Sequence, residues 1–151
     1  MFLKQLTIRN YKSLRSISFA PTPFSALIGP NAAGKSNFAD SLHFLSEVYN
    51  HGLEVAISRK GGYENIAFRK QRRSKAPIEF EIVIEVQEKD REFFRFVPPS
   101  FRSQGSIRLC HKFSVAAKGV GIKAAFRVEE ERFTISFPTK SAESSSRVSV
   151  C

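Results

Sequence analysis

Residues Gly29 to Ser36 read Gly-Pro-Asn-Ala-Ala-Gly-Lys-Ser, a complete G-x-x-x-x-G-K-S phosphate-binding motif. The two glycines let the chain curl, so that successive backbone N–H groups point inward at a phosphate. In such a loop Lys35 reaches the β- and γ-phosphates, and the Ser36 hydroxyl can ligate Mg²⁺. The alternative is a chance match, which the flanking sequence helps to decide.

The motif is meaningful only between a strand and a helix, and the flanking residues favour both. The apolar run Phe24–Ile28 follows Pro21 and Pro23, which predicts a short buried strand. After the loop, apolar residues recur at helical spacing through Asn50, and Gly52 is a plausible stop. The apolar positions of this helix are Phe38, Leu42, Leu45 and then Val48 or Tyr49. The N-terminus of a helix favours an anion, so the context supports a nucleotide-phosphate site.

The composition is ordinary for a soluble globular protein with one core. Of 151 residues, 42% are hydrophobic and 25% are charged. No apolar run reaches about 18 residues, so we expect no membrane span, and the N-terminus lacks the apolar stretch of a secretory signal. Cys110 and Cys151 fit no metal-ligand spacing, so we expect neither a disulfide framework nor a zinc site. The expected compartment is the cytoplasm.

The net charge of +10 is concentrated in the half that contains the loop. Residues 1–75 carry 12 Lys/Arg against 4 Asp/Glu, whereas residues 76–151 carry 12 against 10. The densest basic segment consists of Arg69, Lys70, Arg72, Arg73 and Lys75. It is either a nucleic-acid contact or a solvated loop, and no aromatic residues interleave with it to favour the first.

The N-terminal half predicts an α/β arrangement around the loop. The predicted elements are strands at Phe2–Ile8 and Leu14–Phe19, a polar turn at Arg9–Ser13, and the strand and helix that flank the motif. A Gly-Gly loop follows at Arg59–Asn65, and Ile66–Phe68 is too short to assign.

From Pro77 the hydrophobic period changes to two, which predicts antiparallel strands. Alternate residues from Ile78 to Val86 are apolar, while Glu79, Glu81 and Glu85 lie on the opposite face. Further strands, joined by turn-like gaps into a meander, are predicted at Glu92–Val97, Ile107–Val115, Ile122–Glu129 and Arg132–Phe137. The Ser-rich stretch after Phe137 has almost nothing apolar to bury, so we expect one domain over residues 1–138 and a disordered tail over 139–151.

The order of these motifs resembles the heads of RecF/SMC-type ABC ATPases, and most closely the AAA/ABC ATPases allied to RecF and the overcoming-lysogenization-defect family. The residues that carry the resemblance are Leu6–Leu14, Phe24–Asn37 and Arg59–Phe68; after about residue 90 the strands are similar only in style. The resemblance implies an α/β fold with α+β character, the N-terminal ATP-binding lobe of a P-loop NTPase head. Such a lobe combines a few strands and the P-loop helix with an antiparallel β-meander.

The resemblance also implies a site, cofactors and partners. ATP and Mg²⁺ would be held by Gly29, Pro30, Asn31, Ala32, Ala33, Gly34, Lys35, Ser36 and Asn37, with Ser36 on the metal. Lys12 and Ser13 match a family position that approaches the phosphates; otherwise Lys12 is a surface lysine. In the family, two heads sandwich ATP, so a second ATPase lobe or head is the implied partner. DNA is a further implied partner, through DNA repair or defence.

The chain also departs from the family pattern. An ATPase needs a carboxylate to orient the attacking water and an Asp to support Mg²⁺. No apolar run here ends in Asp-Glu, and the nearest segment, Ile82–Glu85, has the alternation of a strand. The signature motif is missing too, since Ser103–Gly105 is only a superficial echo of it. We therefore expect ATP binding with feeble or no hydrolysis by this chain alone, as in a truncated gene product, a split subunit or a cut fragment.

Two other interpretations stay open. In one, the chain is a non-catalytic nucleic-acid-binding module that uses the basic segment 69–75. In the other, it is a decayed remnant whose loop binds nothing.

Overall fold

The helices and strands of this chain are arranged around one antiparallel sheet. The computed structural model describes residues 1–68, 76–87, 90, 106–118 and 125–137, together with the backbone of 146–150. The elements are β1 (Phe2–Tyr11), β2 (Leu14–Phe19), α1 (Lys35–His51), α2 (Leu53–Arg59), α3 (Tyr63–Ile66), β3 (Ile78–Val86), β4 (Ile107–Lys118), β5 (Ala125–Phe137) and β6 (Ser146–Val150). The strand order is β2-β1-β3-β4-β5-β6, and each neighbouring pair is antiparallel. The predicted mixed α/β class with an antiparallel meander is confirmed.

The first hairpin has a tighter turn than the sequence predicts. β1 continues through Tyr11, which pairs with Leu14, so the turn contains only Lys12 and Ser13. The prediction of a polar turn over Arg9–Ser13 is therefore wrong for its first half. Contacts with distant parts of the chain extend β1 through these residues. Tyr11 is fully buried, and Arg9 donates a 2.9 Å hydrogen bond to Glu79 on β3.

The core lies between one face of the sheet and the helices. The Phe80 ring is at its centre, with ring centroids of Tyr11 and Phe44 each 5.6 Å away and that of Phe113 at 5.3 Å. The opposite face of the sheet carries cross-strand ion pairs, such as Lys4 with Glu85 at 3.1 Å. A sheet with one buried and one solvated face requires the period-two pattern that predicted β3.

Helix α1 follows the phosphate-loop motif as predicted and ends beside the predicted stop. The N–H of Gly52, at φ +87°, donates to the carbonyl of Val48 at 2.9 Å. The buried face consists of Phe38, Ser41, Phe44 and Leu45, whereas Leu42 is 39% exposed. The assignment of Leu42 to that face is therefore corrected, because Phe44 has the rotational position that faces the sheet. Helices α2 and α3 are additions that the sequence pattern did not predict.

The segment before the loop is not the buried strand that the sequence predicts. Phe24 and Ile28 are 85% and 93% exposed, and Leu27 is 50% exposed. Phe24–Ile28 pairs with none of the strands that the structure describes. A strand needs a hydrogen-bonding neighbour. Since none of the described strands provides one for this segment, its apolar side chains stay exposed to solvent.

The C-terminal strands also differ from prediction. β5 is continuous where the sequence predicts two strands, because Glu129–Arg132 stays beside β4 through an irregularity between Ser114 and Val115. Ser146–Val150 pairs with β5, so these five residues are a strand rather than part of a disordered tail. The predicted strand at Glu92–Val97 lies outside the described residues.

Candidate nucleotide site

The motif loop leads directly into α1 through a left-handed glycine. Gly34 has φ +95° and occupies the N-cap position, and its carbonyl accepts the N–H of Phe38 at 2.9 Å. Ala32 is also left-handed, at φ +65°. No hydrogen bond from a described side chain caps the start of α1, so its first N–H groups remain available to an anion.

Lys35 folds back over the loop that precedes it. Its Nζ donates hydrogen bonds to the carbonyl oxygens of Gly29 and Pro30, at 2.7 and 2.8 Å. The remaining residues of the curl, Asn31–Ala33, are exposed. Lys35 itself is half-buried, but the hydrogen bonds of its ammonium group to the loop carbonyls are exposed to solvent.

The hairpin turn between β1 and β2 lies against the start of α1. Asn37 Nδ2 donates a 2.6 Å hydrogen bond to Ser13 Oγ. A Cβ added to Gly34 would lie 3.4 Å from Ser13 Oγ and 3.3 Å from a Leu14 methyl carbon. The backbone N–H of Lys12 donates to the carbonyl of Ile66 at 2.7 Å, which fixes the turn from its other side. The structure thus brings the Lys12–Ser13 turn to the loop.

Sequence reasoning missed Asp40, which joins the turn to the helices. Its Oδ2 accepts a hydrogen bond from Tyr11 at 2.6 Å and lies 2.6 Å from Lys12 Nζ. Its Oδ1 lies 2.5 Å from Lys60 Nζ. No local pattern links these residues, since α1, α2 and β1 meet only in the folded chain.

Burial and neighbouring charges shift the pKa of Asp40 in opposite directions. Partial burial alone raises the pKa of its carboxyl group, but hydrogen bonds from Lys12, Lys60 and Tyr11 outweigh this effect and hold the pKa well below its usual range. Burial, followed by the hydrogen bond to Asp40 and its charge, raises the pKa of Tyr11 far above its usual value. Asp40 is therefore an anion, and Tyr11 a neutral donor, at physiological pH.

We expect the contribution of Asp40 to stability to disappear in acid. A carboxyl group with a depressed folded-state pKa stabilises the fold above its unfolded pKa of about 3.9, and this gain is lost as the pH falls toward the folded value. Asp40→Asn should reduce the free energy of unfolding by about 1–3 kcal/mol near neutral pH. Urea unfolding from about pH 7 to about pH 2 should show a constant difference between wild type and variant down to about pH 5, and convergence below it. A constant difference across the whole range would contradict the expectation.

We expect the two motif glycines to differ in their tolerance of alanine. Gly34→Ala places a Cβ in a left-handed residue beside Leu14 and Ser13, so it should cost about 1–2 kcal/mol or more of stability. Gly29→Ala, the matched control, has no positive φ and meets only the Ala33 Cβ at 3.4 Å. Thermal unfolding of both variants measures the difference, and equal losses would show that the backbone at Gly34 is not restrictive.

The single hydroxyl oxygen of Ser36 fits a magnesium ion that keeps most of its water ligands. Ser36 is exposed in the first turn of α1, and the described residues contain no cluster of three or more His, Cys, Asp or Glu that could hold a metal. Mg²⁺ is commonly bound through few protein ligands plus phosphate oxygens and water. A hydroxyl beside a phosphate site therefore suits it.

Two other expectations have a limited structural answer. The basic segment Arg69, Lys70, Arg72, Arg73 and Lys75 lies outside the described residues, so its contact with nucleic acid stays a prediction. Within the described part of the chain, every helix is too short or too polar to cross a membrane.

Two known proteins match parts of this chain in sequence. The chromosome partition protein Smc of Methanocaldococcus jannaschii is 39% identical over 44 residues, which are 28% of this chain and 4% of that protein. The DNA replication and repair protein RecF of Streptococcus equi subsp. zooepidemicus is 36% identical over 52 residues, 34% of this chain and 14% of RecF. The chain therefore spans only a small part of the length of these relatives.

The fold comparison agrees with the sequence comparison. A solved structure from work on ATP-driven dimerization and DNA-stimulated activation of SMC ATPases superposes with a TM-score of 0.51. The superposition covers 85% of this chain and 70% of that structure's chain, and the two sequences are 18% identical. The match therefore supports the fold of an SMC-type ATPase. A model of the AAA ATPase domain matches residues 1–145. The chain thus belongs to the AAA ATPase domain family, and it is similar in sequence to parts of Smc and RecF and in fold to an SMC ATPase structure.

Proposed function

We propose that this chain binds ATP and Mg²⁺ through residues 29–37, as the ATP-binding lobe of a RecF/SMC-like ATPase. The observation that carries the proposal is the position of the Lys35 ammonium group, within 2.8 Å of two loop carbonyls and open to solvent. A phosphate would compete with those carbonyls for Lys35 and gain the N–H groups at the start of α1.

Each residue of the loop and turn has a distinct role in this proposal. Backbone N–H groups from Asn31 to Gly34 surround the phosphates, and Gly34 supplies the left-handed turn into α1. Lys35 neutralises phosphate charge and Ser36 ligates Mg²⁺, which draws charge from the phosphate oxygens. Asn37 holds Ser13 and so fixes the hairpin turn beside the loop.

Hydrolysis by this chain alone should be slow or absent. The segment nearest to a catalytic acid strand, Ile82–Glu85, lies inside antiparallel β3, and Glu85 forms an ion pair with Lys4. A carboxylate held in that pair on the far face of the sheet is poorly placed to orient a water at the loop.

Calorimetric titration with ATP, ADP and AMP tests the proposed site. The loop and Lys35 act on the β- and γ-phosphates, so affinity should fall from ATP to AMP, and chelating Mg²⁺ should weaken ATP binding. Equal affinity for ATP and AMP would overturn the proposal, because binding would then depend on the base and not on the loop.

We also propose that a second ATPase lobe or head covers the exposed segment Phe24–Ile28. The complete assembly would act in DNA repair or defence. The support is the exposure of Phe24, Leu27 and Ile28 directly before the loop, where an apolar run gains from burial. Light scattering with and without ATP tests for a homodimer, which Ile28→Asp should weaken. An ATP-dependent dimer that forms equally well with Ile28→Asp would place the contact elsewhere.

A further inference from the structure

Asp40 has more cationic partners than its own charge requires. Lys12 Nζ is 2.6 Å from Oδ2, and Lys60 Nζ is 2.5 Å from Oδ1. The Tyr11 hydroxyl supplies an additional hydrogen bond at 2.6 Å. Since two ammonium groups share one carboxylate, either lysine can leave while Asp40 stays paired and hydrogen-bonded.

Of the two lysines, Lys60 is the more firmly held. Its side chain is 14% exposed, against 28% for Lys12. Its backbone N–H ends α2 by donating to the carbonyls of Ala56 and Ile57, and its Nζ also lies 3.4 Å from His43 Nδ1. The backbone of Lys12 is also held, so the greater exposure of its side chain is what makes it the lysine that leaves Asp40 more readily.

Lys12 is next in sequence to the residue that joins the hairpin turn to the loop end of α1. The next residue, Ser13, contacts Asn37 and borders Gly34 at the start of α1. Asp40 lies five residues beyond Lys35, a rise of about 7.5 Å along the helix axis. A change in the Lys12 side chain alone therefore moves its charge from Asp40 toward the loop.

We propose that Lys60 is a positioning residue for nucleotide binding, which stays on Asp40 and thereby frees Lys12 to pair with a phosphate. The proposal rests on ATP binding at the loop. Among the described residues, Lys12 is the one cation left on this partly buried carboxylate when Lys60 is removed, and its departure then leaves Asp40 with no described ion-pair partner. The fraction of molecules with Lys12 free falls, and the apparent affinity for ATP falls with it.

A double-mutant cycle with ATP titration tests this role. The single variant Lys60→Gln should bind ATP about fivefold or more weakly than the wild type. In a Lys12→Gln background the same change should have almost no effect, because no lysine remains to be released. Lys60→Arg keeps the charge on Asp40 and should restore most of the affinity. Lys4→Gln, which removes an ion-paired lysine on the other face of the sheet, is the matched control.

The outcomes separate this inference from the proposed function. Absence of ATP binding by the wild type would reject both. If the wild type binds ATP and Lys60→Gln has no effect, Lys60 has no positioning role. If Lys60→Gln weakens binding equally with and without Lys12, Lys60 acts through its general charge or through folding. Thermal unfolding of each variant identifies the folding case, and either result overturns the inference.

Discussion

Lys35→Ala should weaken ATP binding about 100-fold or more while leaving the fold intact. Losing one partner of a close charge pair costs about 2–5 kcal/mol, and about 2.7 kcal/mol already corresponds to that factor. The carbonyls of Gly29 and Pro30, which Lys35 contacts in this structure, are exposed, so water can replace its hydrogen bonds there. Calorimetric titration measures the affinity, and thermal unfolding shows whether the variant stays folded.

The control for this experiment is a lysine with a comparable charge and no contact with the loop. Lys4→Ala removes the ion pair with Glu85 on the solvated face of the sheet. It should leave ATP affinity within about twofold, because exposed ion pairs contribute little and are screened by salt. An unchanged affinity in a folded Lys35→Ala variant would reject the loop as the ATP site.

Phe80→Ala should cost about 3–5 kcal/mol of unfolding free energy. Phe80 is fully buried, and its ring contacts those of Tyr11, Phe44 and Phe113. Removing it leaves a cavity where β1, β3, β4 and α1 meet. Since domains of this size are stable by only about 5–15 kcal/mol, urea denaturation should show a large shift in midpoint.

The comparison for Phe80 is a more exposed aromatic residue on β5, the strand beside the edge strand β6 of the same sheet. Phe133 is 37% exposed and lies on β5, away from the central ring cluster. Phe133→Ala should therefore cost much less, about 1 kcal/mol. If Phe80→Ala does not fold, Phe80→Leu gives a smaller measurable loss. Equal losses for changes at the two positions would show that the Phe80 cluster is not the centre of the core.

The features that sequence predicts well are those set by neighbouring residues. The loop motif, the start of α1, its stop at Gly52 and the alternation of β3 all depend on local spacing or on glycine conformation. Each of them is present in the fold. Local patterns therefore predicted the loop and the helix that follows it, whereas the approach of the Lys12–Ser13 turn to the phosphates comes from the family resemblance and stays a prediction.

The features that sequence missed depend on contacts between distant segments. Tyr11 reads as part of a polar turn, yet it is buried by Phe44 and Phe80 and bonded to Asp40. The acidic run within Glu129–Arg132 reads as a turn, yet pairing with β4 keeps it extended. Phe24–Ile28 reads as a buried strand, but burial requires a neighbour that none of the described strands provides. The hydrophobic period of a segment shows that its side chains favour burial, whereas the tertiary fold decides whether a neighbour is present to bury them.

The exposed run Phe24–Ile28 has a further consequence for self-association. A short, uncharged, mostly apolar segment that pairs with none of the described strands is a template for cross-β stacking between copies. Pro21 and Pro23 precede it and Pro30 follows it, and proline supplies no N–H to such a ladder. These prolines act as gatekeepers on both sides, so stacking cannot spread beyond the run itself. The prolines therefore limit the length of strand that could stack between copies.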